Sequence, residues 1–213
     1  MSTFEEAQER DMILFVGSYL TTQATSVKRI GNELNKKISA LVILNVGDHQ
    51  ARKKAAHDTK ATILVCDINN ESEVAKTLKP YMHRLLAVTC RAEKNIPLLR
   101  KVIPHVPYLN TPTEKSLDWT TDKIKMRRLL RQYDKAISPK FLVVHDATEA
   151  TLERIEAKVG YPMIVKPAGL AASLLVTLCY HREELEQTLK NTVRKIDSIY
   201  KKKQGRGEAQ ILV

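Results

Sequence analysis

Met12-Ile13-Leu14-Phe15-Val16 is followed by Gly17-Ser18-Tyr19, five consecutive apolar residues closed by a glycine. The run has no helical period and reads as a strand buried on both faces. Three more runs of the same kind follow over Ile38–Val46, Ala61–Asn69 and Arg84–Arg91. Between them, Ala24–Lys37, Asp48–Lys60 and Ser72–Met82 have the length of crossover helices, and another helix is expected over Glu93–Val102. Strand, helix and strand repeated at this spacing predict an open α/β fold, with a parallel sheet of at least four strands and right-handed crossovers. Pro104, Pro107 and Pro112 then interrupt regular structure. A domain boundary is expected beside Ser116, dividing the chain into 1–115 and 116–213.

The second part has another rhythm. Thr121 is in place to cap a helix whose buried stripe would be Met126, Leu129, Leu130 and Tyr133. A short strand is expected over Phe141–Val144. A helix follows, with Asp146 and Glu149 as a capping-box variant, Leu152, Ile155 and Val159 on one face, and a stop at Gly160-Tyr161-Pro162. Met163–Lys166 and Leu174–Tyr180 read as strands joined by a loop of small residues. A long helix then buries Leu185, Leu189, Val193, Ile196 and Tyr200. Gln210–Val213 begins a strand where the chain stops, which reads as a truncation. Its apolar tail and the loop Ala168–Ser173 are expected to be the least satisfied parts of the second unit, for want of a covering half.

Composition narrows the function classes. Of 213 residues, 43% are hydrophobic and 28% charged, as in an ordinary globular protein. The apolar runs are far short of the roughly 20 residues that cross a bilayer, and the polar, acidic Met1–Asp11 is no secretory signal. Cys66, Cys90 and Cys179 are scattered through apolar runs, which points to reduced thiols and a cytoplasmic location. Lys and Arg exceed Asp and Glu by 35 to 24, spread along the chain and accompanied by few aromatic residues. That distribution favours small anions over nucleic acid.

Several chemistries are excluded by motif. The turn after the first strand, Val16-Gly17-Ser18-Tyr19-Leu20, lacks the G-x-G-x-x-G that a dinucleotide needs for close backbone approach. No H-E-x-x-H, G-x-S-x-G or G-x-x-x-x-G-K-[ST] occurs. Attention moves to Asp122-Lys123-Ile124-Lys125-Met126-Arg127 and to Tyr161-Pro162-Met163-Ile164-Val165-Lys166-Pro167 with the loop Ala168-Gly169-Leu170-Ala171-Ala172-Ser173. Lys123 opens a helix, where charge and backbone N–H groups can both face an anion. Lys166 ends a buried strand, where an ammonium needs a partner or a polyanionic ligand. Two lysines converging from different elements suit a triphosphate.

The order D-K-x-x-M-R, P-x-I-V-K-P, small-residue loop, strand and Glu183-Glu184-Leu185 helix resembles the ATP-grasp superfamily, in the carboxylate–amine ligase, carbamoyl-phosphate synthase and biotin carboxylase group. The first 115 residues then resemble its Rossmann-like pre-ATP-grasp domain. The resemblance implies a ligase that forms an acyl phosphate from MgATP and a small carboxylate. Lys123, Lys166, Gly169 and Ser173 would face phosphate, and Ile164 and Val176 would wall the adenine. The loop departs from the family, with one glycine where several are usual. The magnesium ligands and the adenine hinge are expected past Val213, so these 213 residues alone should turn over no ATP. The resemblance leaves the acceptor carboxylate and the nucleophile unnamed, and a homo-oligomer stays open. The alternatives are a non-catalytic basic α/β module for nucleotides or phosphate and, on charge alone, a nucleic-acid-binding domain.

Overall fold

The computed structural model describes residues 10–58, 61–170, 173–203 and 208–213. Two compact units form, the first ending at Asp118 and the second beginning at Trp119. In the first, β1 (Met12–Val16), β2 (Ser39–Asn45), β3 (Thr62–Cys66) and β4 (Leu85–Thr89) make one sheet in the order β3-β2-β1-β4. Every pairing in it is parallel. The crossovers are α1 (Thr21–Glu33), α2 (His49–Asp58) and α3 (Glu71–Leu78), with α4 (Ile96–Val102) after β4. The third expected helix stops at Leu78 instead of Met82, because Pro80 has no N–H to continue the ladder; the chain tightens into a 3₁₀ turn over Lys79–Arg84.

Alternation along the central strands serves two cores at once. Met12, Leu14 and Val16 pack on one face with Leu41, Ile43, Val74 and Leu78, while Ile13 and Phe15 pack on the other with Val42, Leu44 and Val27. Gly17 turns the chain out of β1 at φ +80°, and a Cβ there would lie 2.5 Å from the Asn95 side chain, so no other residue fits without displacing it.

The second unit has its own sheet, antiparallel and ordered β5-β8-β6-β7. Its strands are β5 (Val143–Val144), β6 (Met163–Pro167), β7 (Thr177–Cys179) and β8 (Ile211–Leu212). The helix α5 (Glu114–Thr121) precedes α6 (Lys123–Tyr133), and α7 (Glu149–Lys158) and α8 (Arg182–Lys203) cover one face of the sheet. Two sequence expectations fail at α6. Thr121 belongs to α5, and Asp122 is the cap, its carboxylate accepting from the N–H groups of Ile124 (2.9 Å) and Lys125 (3.0 Å). Tyr133 is 86% exposed, and the buried anchor is Ile124, at the other end of the helix.

The chain end is also corrected. Far from lying bare, β8 is a central strand between β5 and β6, and Ile211, Leu212 and Val213 are at most 5% exposed. The N–H and C=O of Val213 both bond to Leu142 (2.9 Å each). A short apolar strand is satisfied when flanked on both sides, and here both flanks precede it in the chain. Between α7 and α8, Arg182 pairs with Glu149 and Glu156, and the Tyr161 hydroxyl donates to Glu156 (2.9 Å).

Candidate functional site

Period-two alternation in β6 sets the site. Met163, Val165 and Pro167 turn into the core under α7 and α8, which leaves Ile164 and Lys166 on the opposite face. Register places Leu178 of β7 opposite Ile164 and Leu212 of β8 opposite Lys166. On this face a pocket of about 370 Å³ opens, with Arg127, Lys140, Phe141, Ile164, Lys166 and Leu212 among its lining. No Asp or Glu side chain lines it among the described residues. Burial pushes the Lys166 ammonium below the usual lysine range, and the positive charges of Arg127 and Lys123 push it further the same way. Half-buried cations gathered in a lining that has no Asp or Glu side chain among the described residues favour an anion there.

Lys123 is held differently. Its ammonium donates to the carbonyls of Leu170 (2.7 Å) and Ala168 (3.2 Å), tying α6 to the segment that leaves β6. Asp122 takes two amides of the first turn, so the helix start presents a lysine more than a row of open N–H groups. The Gly169 N–H donates to the Tyr200 hydroxyl (2.7 Å). Ser173 is exposed at φ +55°, and its carbonyl accepts from Val176 N–H (3.2 Å). Leu175, also at φ +55°, is a second non-glycine in the left-handed region of this stretch, a conformation that glycine adopts without strain.

Of the residues singled out from sequence, Ile164 and Lys166 share the pocket, with Lys123 near enough for its charge to act on Lys166. Gly169, Ser173 and Val176 are not in its described lining. Sequence reading missed Arg127 and Lys140. For Arg127 a signal was present, since it stands four residues after Lys123 and so on the same helix face. Lys140 carried no signal beyond its charge. Among the described residues, no three His, Cys, Asp or Glu side chains group closely enough to hold a metal ion, and no helix is long and apolar enough to cross a membrane.

Comparison with known proteins points to one group of enzymes. Residues 137–204 match the family described as D-ala D-ala ligase C-terminus. The chain is similar to a D-alanine--D-alanine ligase of Bacillus velezensis, with 29% identity over 175 residues, 80% of this chain and 44% of that protein. It is also similar to the ligase of the same name from Thermosipho melanesiensis, at 33% over 75 residues, 35% of this chain and 20% of the relative. The Bacillus licheniformis ligase is 37% identical over 70 residues, 31% of this chain and 19% of the relative. The chain thus spans less than half the length of these curated relatives.

Proposed function

We propose that the chain is a member of the ATP-grasp superfamily, a reading its likeness to D-alanine--D-alanine ligases supports, and that it carries the nucleotide-binding part of an ATP-dependent carboxylate–amine ligase, with residues 1–115 as the pre-ATP-grasp domain and 116–213 as the first part of the ATP-grasp domain. The observation that carries this reading is the pocket on β6, where Lys166, Arg127 and Lys140 gather around an apolar wall containing Ile164, with no Asp or Glu side chain among the described lining. A nucleotide matches that pattern, with its base against the apolar side and its phosphates against the cations.

The reaction proposed is transfer of the terminal phosphoryl group of MgATP to a small carboxylate, after which an amine displaces phosphate from the acyl phosphate. For this chain's own residues the work is positioning and charge neutralisation. Lys166 and Arg127 would hold phosphate oxygens. Lys123 would act through the segment it grips. Lys166→Met tests the reading by calorimetric titration with MgATP: affinity should fall by roughly 1.5–3 kcal/mol, the scale of a charge-assisted hydrogen bond. Binding that ignores this change would place the nucleotide elsewhere, and the proposal would fail.

A further inference from the structure

We propose that Tyr200 is a positioning residue of the nucleotide site, set in α8 to fix the segment Ala168–Leu170 that leaves β6 directly after Lys166; this rests on the nucleotide reading above. Four backbone groups of that short segment have partners from elsewhere in the unit. Ala168 N–H donates to the Gln210 carbonyl (2.9 Å) and Gly169 N–H to the Tyr200 phenol oxygen (2.7 Å). The carbonyls of Ala168 and Leu170 accept from the Lys123 ammonium (3.2 and 2.7 Å). Two of the anchors are side chains on different helices, 31 and 45 residues away along the chain.

Packing alone does not account for the tyrosine. Its ring belongs to the core with Val165, Leu170 and Ile196 and is 7% exposed, a place that phenylalanine would fill equally well. Burial pushes the phenol's pKa up, so it stays neutral, with an oxygen able to accept from an amide. That acceptor takes the amide of Gly169, the one glycine of Ala168–Ser173, and bonds to the Gln210 backbone as well.

The consequence is chemical. Loops that wrap a phosphate with backbone usually leave glycine amides open to it. Here the Gly169 amide is taken, and the neighbouring carbonyls are occupied by Lys123. Phosphate recognition on this segment therefore falls to side-chain cations, Lys166 and Arg127, and the segment serves as a fixed shelf that sets where the Lys166 ammonium stands. Fixing a short segment in advance lowers the entropy lost when the ligand binds.

The experiment is Tyr200→Phe, read by amide exchange of the segment and by calorimetry with MgATP and, separately, adenosine. The exposed Tyr180→Phe is the control. The ring is kept, so circular dichroism and the thermal midpoint should stay near wild type. Exchange at Ala168 and Gly169 should accelerate, and MgATP affinity should drop about five- to tenfold, the scale of one hydrogen bond, with adenosine affinity unchanged. Equal losses for both ligands, unchanged MgATP affinity, or unchanged exchange at Gly169 would overturn the positioning role. A wild-type protein that binds neither ligand, or whose MgATP affinity is indifferent to Lys166→Met, would instead sink the nucleotide reading, and this proposal with it.

Discussion

The two sheets have four strands each and solve opposite problems. In the parallel sheet the central strands are covered on both faces, and every residue of β1 is buried. In the antiparallel sheet β6 alternates, one face sealed by α7 and α8 and the other keeping Ile164 46% exposed beside a half-buried lysine. Leu178 and Val176 are similarly open near it. A sheet closed on both sides contributes stability and offers a ligand only its ends. A sheet with one face partly bare, next to cations in a described lining free of Asp and Glu side chains, can offer that face to a ligand. That difference is what favours the face of β6 as the candidate site.

The contrast is broken or sharpened most strongly by truncation. Leu41→Ala, in the closed sheet, should cost about 2–5 kcal/mol of unfolding free energy, while Leu178→Ala should cost less than about 1 kcal/mol, since much of that side chain is already in water. Urea denaturation of both variants checks this. Comparable losses would mean that the face of β6 and β7 is covered in solution.

Next in size is Lys166→Met, which separates binding from stability. MgATP affinity should fall as stated above, yet resistance to urea should hold or rise, because the ammonium removed is one that burial disfavours. Lys135→Met, at an exposed position after α6, should alter neither. Parallel losses of affinity and stability would make Lys166 a structural residue.

A smaller effect lies in titration. The folded-state pKa of Lys166 lies below its ordinary value of 10.5, so between the two the unfolded chain binds more protons, and this group's contribution to stability rises with pH through that window. Arg127→Met removes one of the charges that disfavour the ammonium. The Lys166 midpoint, followed by NMR, should move part of the way back up, burial remaining the larger cause. No movement would separate Arg127 from the site.

The smallest effect is at the rim of the second unit, where Asp146 Oδ1 accepts from Thr148 N–H and from the hydroxyls of Thr148 and Thr151. These bonds hold its pKa down at about 2. A depressed carboxylate contributes stability that is present above its ordinary pKa and lost as pH falls to the depressed one, here from near 3.8 toward 2. Wild type should exceed Asp146→Asn in stability at neutral pH, and the two should converge toward pH 2 in thermal scans. A constant gap across that range would show that the bonds do not favour the charged form.

How much was legible beforehand follows from the range of each interaction. The β1 and β2 runs were readable because a strand buried on both faces must be apolar throughout, and the edge strands β3 and β4 share that apolar character although only partly buried. Lys166 was legible as a candidate because a cation closing an apolar strand is costly without a partner or ligand. Arg127 was not singled out, although it stood in the quoted motif, because its place beside Lys166 depends on how α6 packs over the sheet. Tyr133 was misread as buried because periodicity assigns a stripe without saying how far the covering surface extends. Thr121 was misread as the cap because Thr and Asp are both capping residues, and only the end of α5 decides which of them stands outside a helix.

The sequence by itself determined the α/β class, a parallel sheet over residues 12–91, further strands in a second unit and the resemblance to ATP-grasp enzymes, all of which rest on local pattern and motif order. Tertiary structure alone decided the middle place of β8, the grip of Lys123 on the segment after β6, and the turning of the Gly169 amide toward Tyr200. Each of these joins groups 31 or more residues apart. Which distant donor meets which acceptor is set by packing, and no window along the chain contains both.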